Sequence, residues 1–226
     1  GFQHVLKAEG VLTFEFPHLL NLIEQVQFDT IYHEHYSYLS LLAVEKILQA
    51  HGLKAFDVEL LATHGGSLRL FCAHAGSVHQ ETQALVDLRA RERAARLDRA
   101  EGYEGFAARV EEVKRDFLSF LASARDEGKV VAAYGAAAKG NTFLNYAGVG
   151  AADIVAVFDA NPHKQDRFLP GSHIPIYGPE RVVDFKPDYV IILPWNLKDE
   201  IMGQLAHIKD WGGQFVIAAP ETKIIG

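Results

Sequence analysis

The sequence predicts an α/β protein whose C-terminal part carries a parallel sheet with a Rossmann-like turn. Four apolar, β-branched-rich runs, KVVAAYG, DIVAVFDA, DYVIILPW and QFVIAAP, recur between residues 129 and 220, each bounded by turn residues. Near-continuous apolar strands are what a sheet covered on both faces requires. The first run opens into YGAAAKGNT, which reads as strand, tight glycine turn and helix start. Ahead of these runs, residues 78–127 are charged and helical in texture.

Taken in order, HVLKAEG reads as a helix end with Lys7 in its last turn and a stop at Gly10. The strand VLTFEF follows at 11–16, then an irregular segment over 17–38. The next helix has Ser40 as N-cap and Gly52 as stop, with Leu41, Val44 and Leu48 at helical spacing. KAFDVELL and GSLRLFCAH, separated by ATHGG, predict a hairpin on a sheet edge. A domain that opens on a late helix and strand carries the expectation of a further segment upstream.

Two helices are expected next, QETQALVDLRARERAARLDRA and GFAARVEEVKRDFLSFLASARDEG, joined at EGYEG. In the second, Phe106, Val110, Val113, Phe117 and Leu121 fall on one face. The charge elsewhere on the pair reads most simply as a solvated face, with a homodimer contact through helices 78–127 as the alternative. The expected division is therefore 1–76, 77–127 as helical linker, and 128–226.

Composition narrows the function classes. A net charge of −7 leaves no Lys/Arg stripe for nucleic acid. No apolar run approaches the roughly 20 residues of a membrane span, so no membrane partner is expected. Cys72 is the only cysteine, which excludes an intramolecular disulfide or a cysteine zinc cluster and leaves a small core residue as the simplest role. The expected location is cytoplasmic.

The densest polar cluster is QFDTIYHEHYSY, residues 27–38, with Asp29, Tyr32, His33, Glu34, His35, Tyr36 and Tyr38 between a strand and a helix. Histidine titrates near neutrality, so His33 or His35 can take up a moderately acidic C–H proton. Glu34 can orient or charge-stabilise a neighbour, and a tyrosine hydroxyl can donate to an oxyanion. The plainer reading is a polar loop whose aromatics pack the next helix. No metal site is expected, because two histidines at i, i+2 lack further ligands.

THGGSLR, residues 63–69, offers open backbone and Arg69, which suits a phosphate or carboxylate or is simply a hairpin turn with an exposed arginine. In YGAAAKGNT, Gly135, Ala137 and Gly140 follow the G-x-G-x-x-G spacing with its middle glycine replaced, and Asp159 ends the next strand about 20 residues on. The glycines serve either an anion at the helix start or helix–strand packing alone. LPWN, with Trp195 and Asn196, and the loop carrying Lys164, Arg167 and His173 lie after later strands.

QFDTIYHEHYSYLS, HGGSLR, YGAAAKGNTFLNYAG, FDANPHKQDRFLPGSHIPI and LPWNLKDEI, in this order, resemble the C-methyltransferases of deoxysugar biosynthesis. That resemblance runs through essentially the whole chain. It implies an N-terminal zinc-binding domain, a central S-adenosylmethionine domain and a C-terminal Rossmann-like domain. Residues 1–76 would be the end of the central domain and 128–226 the C-terminal domain. Neither the cysteine-rich zinc domain nor the acidic Gly-rich donor loop is in this sequence, so zinc and most of the donor site are expected outside it.

The resemblance further implies methyl transfer from S-adenosylmethionine to C3 of a nucleotide-linked 4-keto-deoxysugar through an enolate. By analogy with the YHEH motif, His35 is the expected base, Tyr32 and Glu34 its supports and His33 the alternative base. Arg69 and the turn carrying Gly135, Lys139, Gly140 and Asn141 are the expected ligand contacts, without individual roles. Trp195 and Asn196 either line the cleft or cap the sheet. Alone, the chain is expected to be inactive. The competing expectations are an NAD-dependent oxidoreductase, resting on Gly135, Gly140 and Asp159, and a non-catalytic nucleotide-sugar-binding module.

Overall fold

The computed structural model describes residues 1–226, the side chain of His64 excepted. The chain divides into two compact units, one of residues 1–25 with 36–106 and one of 26–35 with 107–226. Residues 77–106 of the helical stretch expected as a linker thus fall in the first unit and 107–127 in the second, and the part of the His/Tyr/Glu loop up to His35 falls in the second.

The first unit begins with α1 (Phe2–Val5), a single turn. The helix expected to run to Gly10 ends earlier, because Leu6 is extended and Gly10 N–H closes a separate turn onto Lys7. β1 (Leu12–Pro17) and α2 (Leu19–Glu24) follow, α2 lying inside the segment read as irregular. Next come α3 (Leu41–Ala50), β2 (Leu53–Leu61), β3 (Ser67–His74) and α4 (Gln83–Ala94). Ser40 caps α3 as expected, its hydroxyl accepting Ala43 N–H at 3.1 Å.

The strands form an antiparallel sheet in the order β1-β3-β2, with the hairpin β2–β3 on one side. Leu41, Val44 and Leu48 of α3 and Leu85 and Leu88 of α4 pack with Leu68, Leu70 and Cys72 of β3. Cys72 is fully buried and its thiol is pushed up to about 12, first by desolvation and then by Glu45. A thiol so far from ionising is a core residue and not a nucleophile.

In the second unit α5 (Phe106–Asp126) buries Val110, Val113, Phe117, Leu121 and Ala124, close to the stripe the periodicity predicts. Phe117 packs edge-on to Phe143 at 4.9 Å between centroids. Burial of such a stripe, at about 1.5–3 kcal/mol per large side chain, outweighs the helix propensity differences of tenths of a kcal/mol along it.

Then follow β4 (Val131–Tyr134), α6 (Ala138–Ala147), β5 (Val157–Phe158), β6 (Arg167–Phe168), β7 (Pro175–Tyr177), α7 (Val182–Phe185), β8 (Tyr189–Ile192), α8 (Lys198–Gln204), β9 (Gln214–Ile217) and β10 (Lys223–Ile225).

The seven strands lie in the order β10-β9-β8-β4-β5-β7-β6. The five central ones are parallel, and β10 and β6 are antiparallel edges. This is the α/β fold with a mostly parallel sheet that the apolar runs predict. Ala132, Val190, Ile192, Phe158 and Phe215 supply its core. Asp188 fastens the entry of β8 to that of β4, its Oδ2 accepting Val130 N–H at 2.8 Å and its Oδ1 accepting Lys129 Nζ at 3.1 Å. From β4 the chain moves first to β5 on one side and later to β8 on the other, so the topological switch falls between β4 and β8. Ligands of doubly wound sheets bind outside the carboxyl ends of strands at that point. No helix is long and apolar enough to cross a membrane among the described residues.

Candidate functional site

The carboxyl ends of β4 and β8 meet through close backbone packing. Gly135, just past β4, has φ +91°, and a Cβ there would lie 2.5 Å from Pro194 Cδ. A Cβ on Gly140 would lie 2.7 Å from Leu193 Cβ. Both glycines are therefore spent on letting α6 and its turn approach the chain after β8. Asp159, past β5, is 8% exposed. Its Oδ2 accepts Ala136 N–H at 2.7 Å and Lys164 Nζ at 3.3 Å, and its Oδ1 accepts Asn161 N–H at 2.8 Å. The acid that would hold a ribose hydroxyl in a dinucleotide site here fixes its own turn, which removes the main support for the NAD reading.

Past β8, Trp195 Nε1 donates to Asp29 Oδ2 at 2.7 Å. Lys139 Nζ stands 4.6 Å from the Trp195 ring centroid and donates to Asn196 Oδ1 at 2.7 Å. Asp29 is buried, with Oδ1 lacking a partner among the described residues. Burial raises its pKa, opposed by the Trp195 bond and by Lys139. Desolvation lowers the pKa of Lys139, opposed by Asp29. A buried acid and a half-buried amine thus flank one indole, each pushed towards its neutral form. Asn141 lies one turn into α6, its side-chain oxygen buried with no partner among the described residues.

Asp29 sits in a one-turn helix, Phe28–Thr30, that begins the loop. Phe28 anchors it, with ring centroids 5.6 Å from Phe143 and 5.2 Å from Tyr146 of α6. Thr30 N–H and Oγ1 both donate to Gln27 O, at 3.1 and 2.7 Å. The Thr30 carbonyl accepts from His35 Nδ1 at 2.9 Å. A carbonyl has no proton to give, so Nδ1 carries the hydrogen and Nε2 is the basic nitrogen of the neutral ring. Tyr32 packs over His35, centroids 4.4 Å apart, and His35 N–H closes a turn onto Tyr32 O at 2.9 Å.

The structure brings Tyr32 and His35 together, and His33 meets Tyr32 edge-on at 6.5 Å. Glu34 is exposed and makes no side-chain hydrogen bond or ion pair among the described residues. Arg69 belongs to the first unit, in β3, opposite Glu15 of β1 and Glu59 of β2. Its Nη1 and Nη2 donate to Glu59 at 3.1 Å and Glu15 at 3.2 Å. Cross-strand pairing thus accounts for Arg69. Among the described residues no group of three or more His, Cys, Asp or Glu can hold a metal ion.

A family model described as the C-methyltransferase C-terminal domain matches residues 62–220. The chain belongs to this family. It is also 36% identical over 225 residues to C-methyltransferase NovU of Streptomyces niveus, covering 100% of this chain and 54% of that protein. The chain thus spans about half the length of this relative. At the level of the family, the motif resemblance is borne out. The family match takes in Gly135, Lys139, Gly140, Asn141 and Trp195, while the loop of Tyr32 and His35 lies before its first residue. S-adenosylmethionine, the donor such enzymes imply, finds no fit at the glycine turn of this chain. Leu193 and Pro194 take up the space its glycines leave, and Asp159 is committed to the turn.

Proposed function

We propose that this chain is the C-terminal portion of a C-methyltransferase acting at C3 of a nucleotide-linked 4-keto-deoxysugar, with His35 as the base that removes the C3 proton. The reading rests on the Nδ1 contact to Thr30 O, which leaves Nε2 as the basic nitrogen. The C4 ketone acidifies the C3 hydrogen, Nε2 takes it, and the electron pair becomes an enolate whose C3 carries the nucleophilic density. S-adenosylmethionine would supply the methyl group to that carbon. No part of its site is assigned to residues described above.

The Tyr32 ring packs on the His35 ring, with centroids 4.4 Å apart, and helps to fix its orientation. Lys139, with Asn196 beside it at the carboxyl end of β8, is the cation proposed for the substrate's phosphates. Gly135, Gly140 and Asn141 shape that turn, and Glu34 is proposed as a secondary contact. Because Leu193, Pro194 and Asp159 fill the glycine turn, methyl transfer by the chain alone is not expected.

The deciding experiment is exchange of the C3 hydrogen for deuterium in D2O, followed by mass spectrometry, in the complete enzyme carrying this chain. Wild type should exchange and His35→Ala should lose exchange by about a hundredfold or more. Undiminished exchange in His35→Ala, with loss in His33→Ala, would move the base to His33.

A further inference from the structure

We propose that Asp29 and Trp195 are positioning residues for His35, acting through the one-turn helix 28–30. This rests on the reading of His35 as the base. The indole N–H meets Asp29 Oδ2 at 2.7 Å, and Asp29 is 1% exposed. Because Oδ1 has no partner among the described residues, the indole is the side-chain donor that holds this carboxyl group. The next residue, Thr30, is tied at both N–H and hydroxyl to Gln27 O, and its carbonyl fixes the His35 ring. From the end of β8 there is thus an unbroken path: indole, Asp29, Thr30 carbonyl, imidazole.

Trp195 is itself held. Its backbone N–H bonds Leu193 O at 3.0 Å, and Lys139 sits over its ring at 4.6 Å while donating to Asn196. Removing the indole N–H takes from this buried carboxyl group its side-chain donor and leaves it only backbone N–H groups of its own short helix, a costly state. The short helix relieves it by turning Asp29 towards water, which carries the Thr30 carbonyl away from Nδ1. Without that acceptor the imidazole loses its preference for the tautomer in which Nε2 is the base.

The test uses the complete enzyme with Trp195→Phe, which keeps a ring and removes the donor, alongside Asp29→Ala and Asp29→Asn. Nitrogen-15 NMR of the histidine rings reads the His35 tautomer, and C3 hydrogen exchange gives kcat and KM. Trp195→Phe and Asp29→Ala should lower kcat about tenfold, leave KM within about twofold, and shift His35 towards the Nε2–H form. Asp29→Asn, whose amide oxygen still accepts from the indole, should retain about half of kcat or more.

An unchanged His35 tautomer in Trp195→Phe overturns the proposal even if kcat falls. Persistence of exchange in His35→Ala instead overturns the base assignment, while the tautomer measurement still decides whether Asp29 and Trp195 hold the ring. Should Asp29→Ala fail to fold, Trp195→Phe carries the decision, because that ring is only partly buried.

Discussion

Glu92 and His18, 74 residues apart in sequence, meet in the interior of the first unit, with His18 Nε2 at 2.8 Å from Glu92 Oε1. Both side chains are fully buried. The same carboxylate accepts Leu41 N–H at 2.8 Å and Leu42 N–H at 2.9 Å. A residue of α4 therefore caps α3, completing the set that Ser40 begins, with its negative charge at the positive end of the helix.

Glu92→Ala strips three donors of their acceptor at once and should destabilise the chain by about 3–5 kcal/mol, in the range for breaking a buried charged network. Glu92→Gln retains one acceptor oxygen and should cost less. Urea unfolding followed by circular dichroism measures both, and a loss under about 1 kcal/mol for the alanine variant would contradict the capping role.

Gly140→Ala places a methyl group 2.7 Å from Leu193 Cβ. Overpacking of this kind costs about 1–3 kcal/mol. Gly135→Ala should cost more, since it adds the φ +91° backbone penalty to a 2.5 Å clash with Pro194. Thermal midpoints should order as wild type, Gly140→Ala, Gly135→Ala.

Asp29 has its pKa raised above the ordinary 3.8, chiefly by desolvation. The folded state thus holds this proton more tightly than the unfolded chain does. Stability is lost as pH rises from about 3.8 through the folded value, and is level above it. Asp29→Asn removes that loss, so the variant should gain stability relative to wild type as pH rises above 3.8. Denaturation midpoints across the range check the sign.

Asp188 behaves in the opposite sense. Its pKa is held below the ordinary 3.8, first by the Val130 N–H and also by Lys129. Its stabilisation is present in full above 3.8 and disappears as pH falls through the lower folded value. Because the side chain is 36% exposed, the contribution is discounted for screening to about 1 kcal/mol. Asp188→Asn should be destabilised by that amount at pH 7 and should converge with wild type in acid.

What the sequence revealed and what it hid follow from the range of the interactions. The apolar runs of β4, β8 and β9 and the α5 stripe are local patterns, so period and composition expose them. DIVAVFDA reads as a longer strand, whereas β5 is Val157–Phe158 alone, with Val155 N–H still bonding Val131 O of β4 at 2.9 Å. α2 is six residues long, too short for its period to stand out. The Tyr32/His35 pair was legible because it lies within four residues.

Glu92 was hidden inside RARERAAR, which reads as a solvated face, and its burial depends on amides 50 residues away. The indole–carboxyl bond joins positions 166 apart, and nothing near either residue announces it. A tryptophan after a strand and an aspartate ahead of the YHEH motif were visible as candidates, but their pairing was not.

Residues 26–35 fold with 107–226, whereas the segments on either side of them belong to the other unit. A gene fusion that joined two homologues by a single crossover at Phe106 would therefore not exchange an intact module. Asp29 and His35 would descend from one parent and Trp195 from the other. Such hybrids keep the indole–carboxyl bond only where both parents already agree on that distant pair.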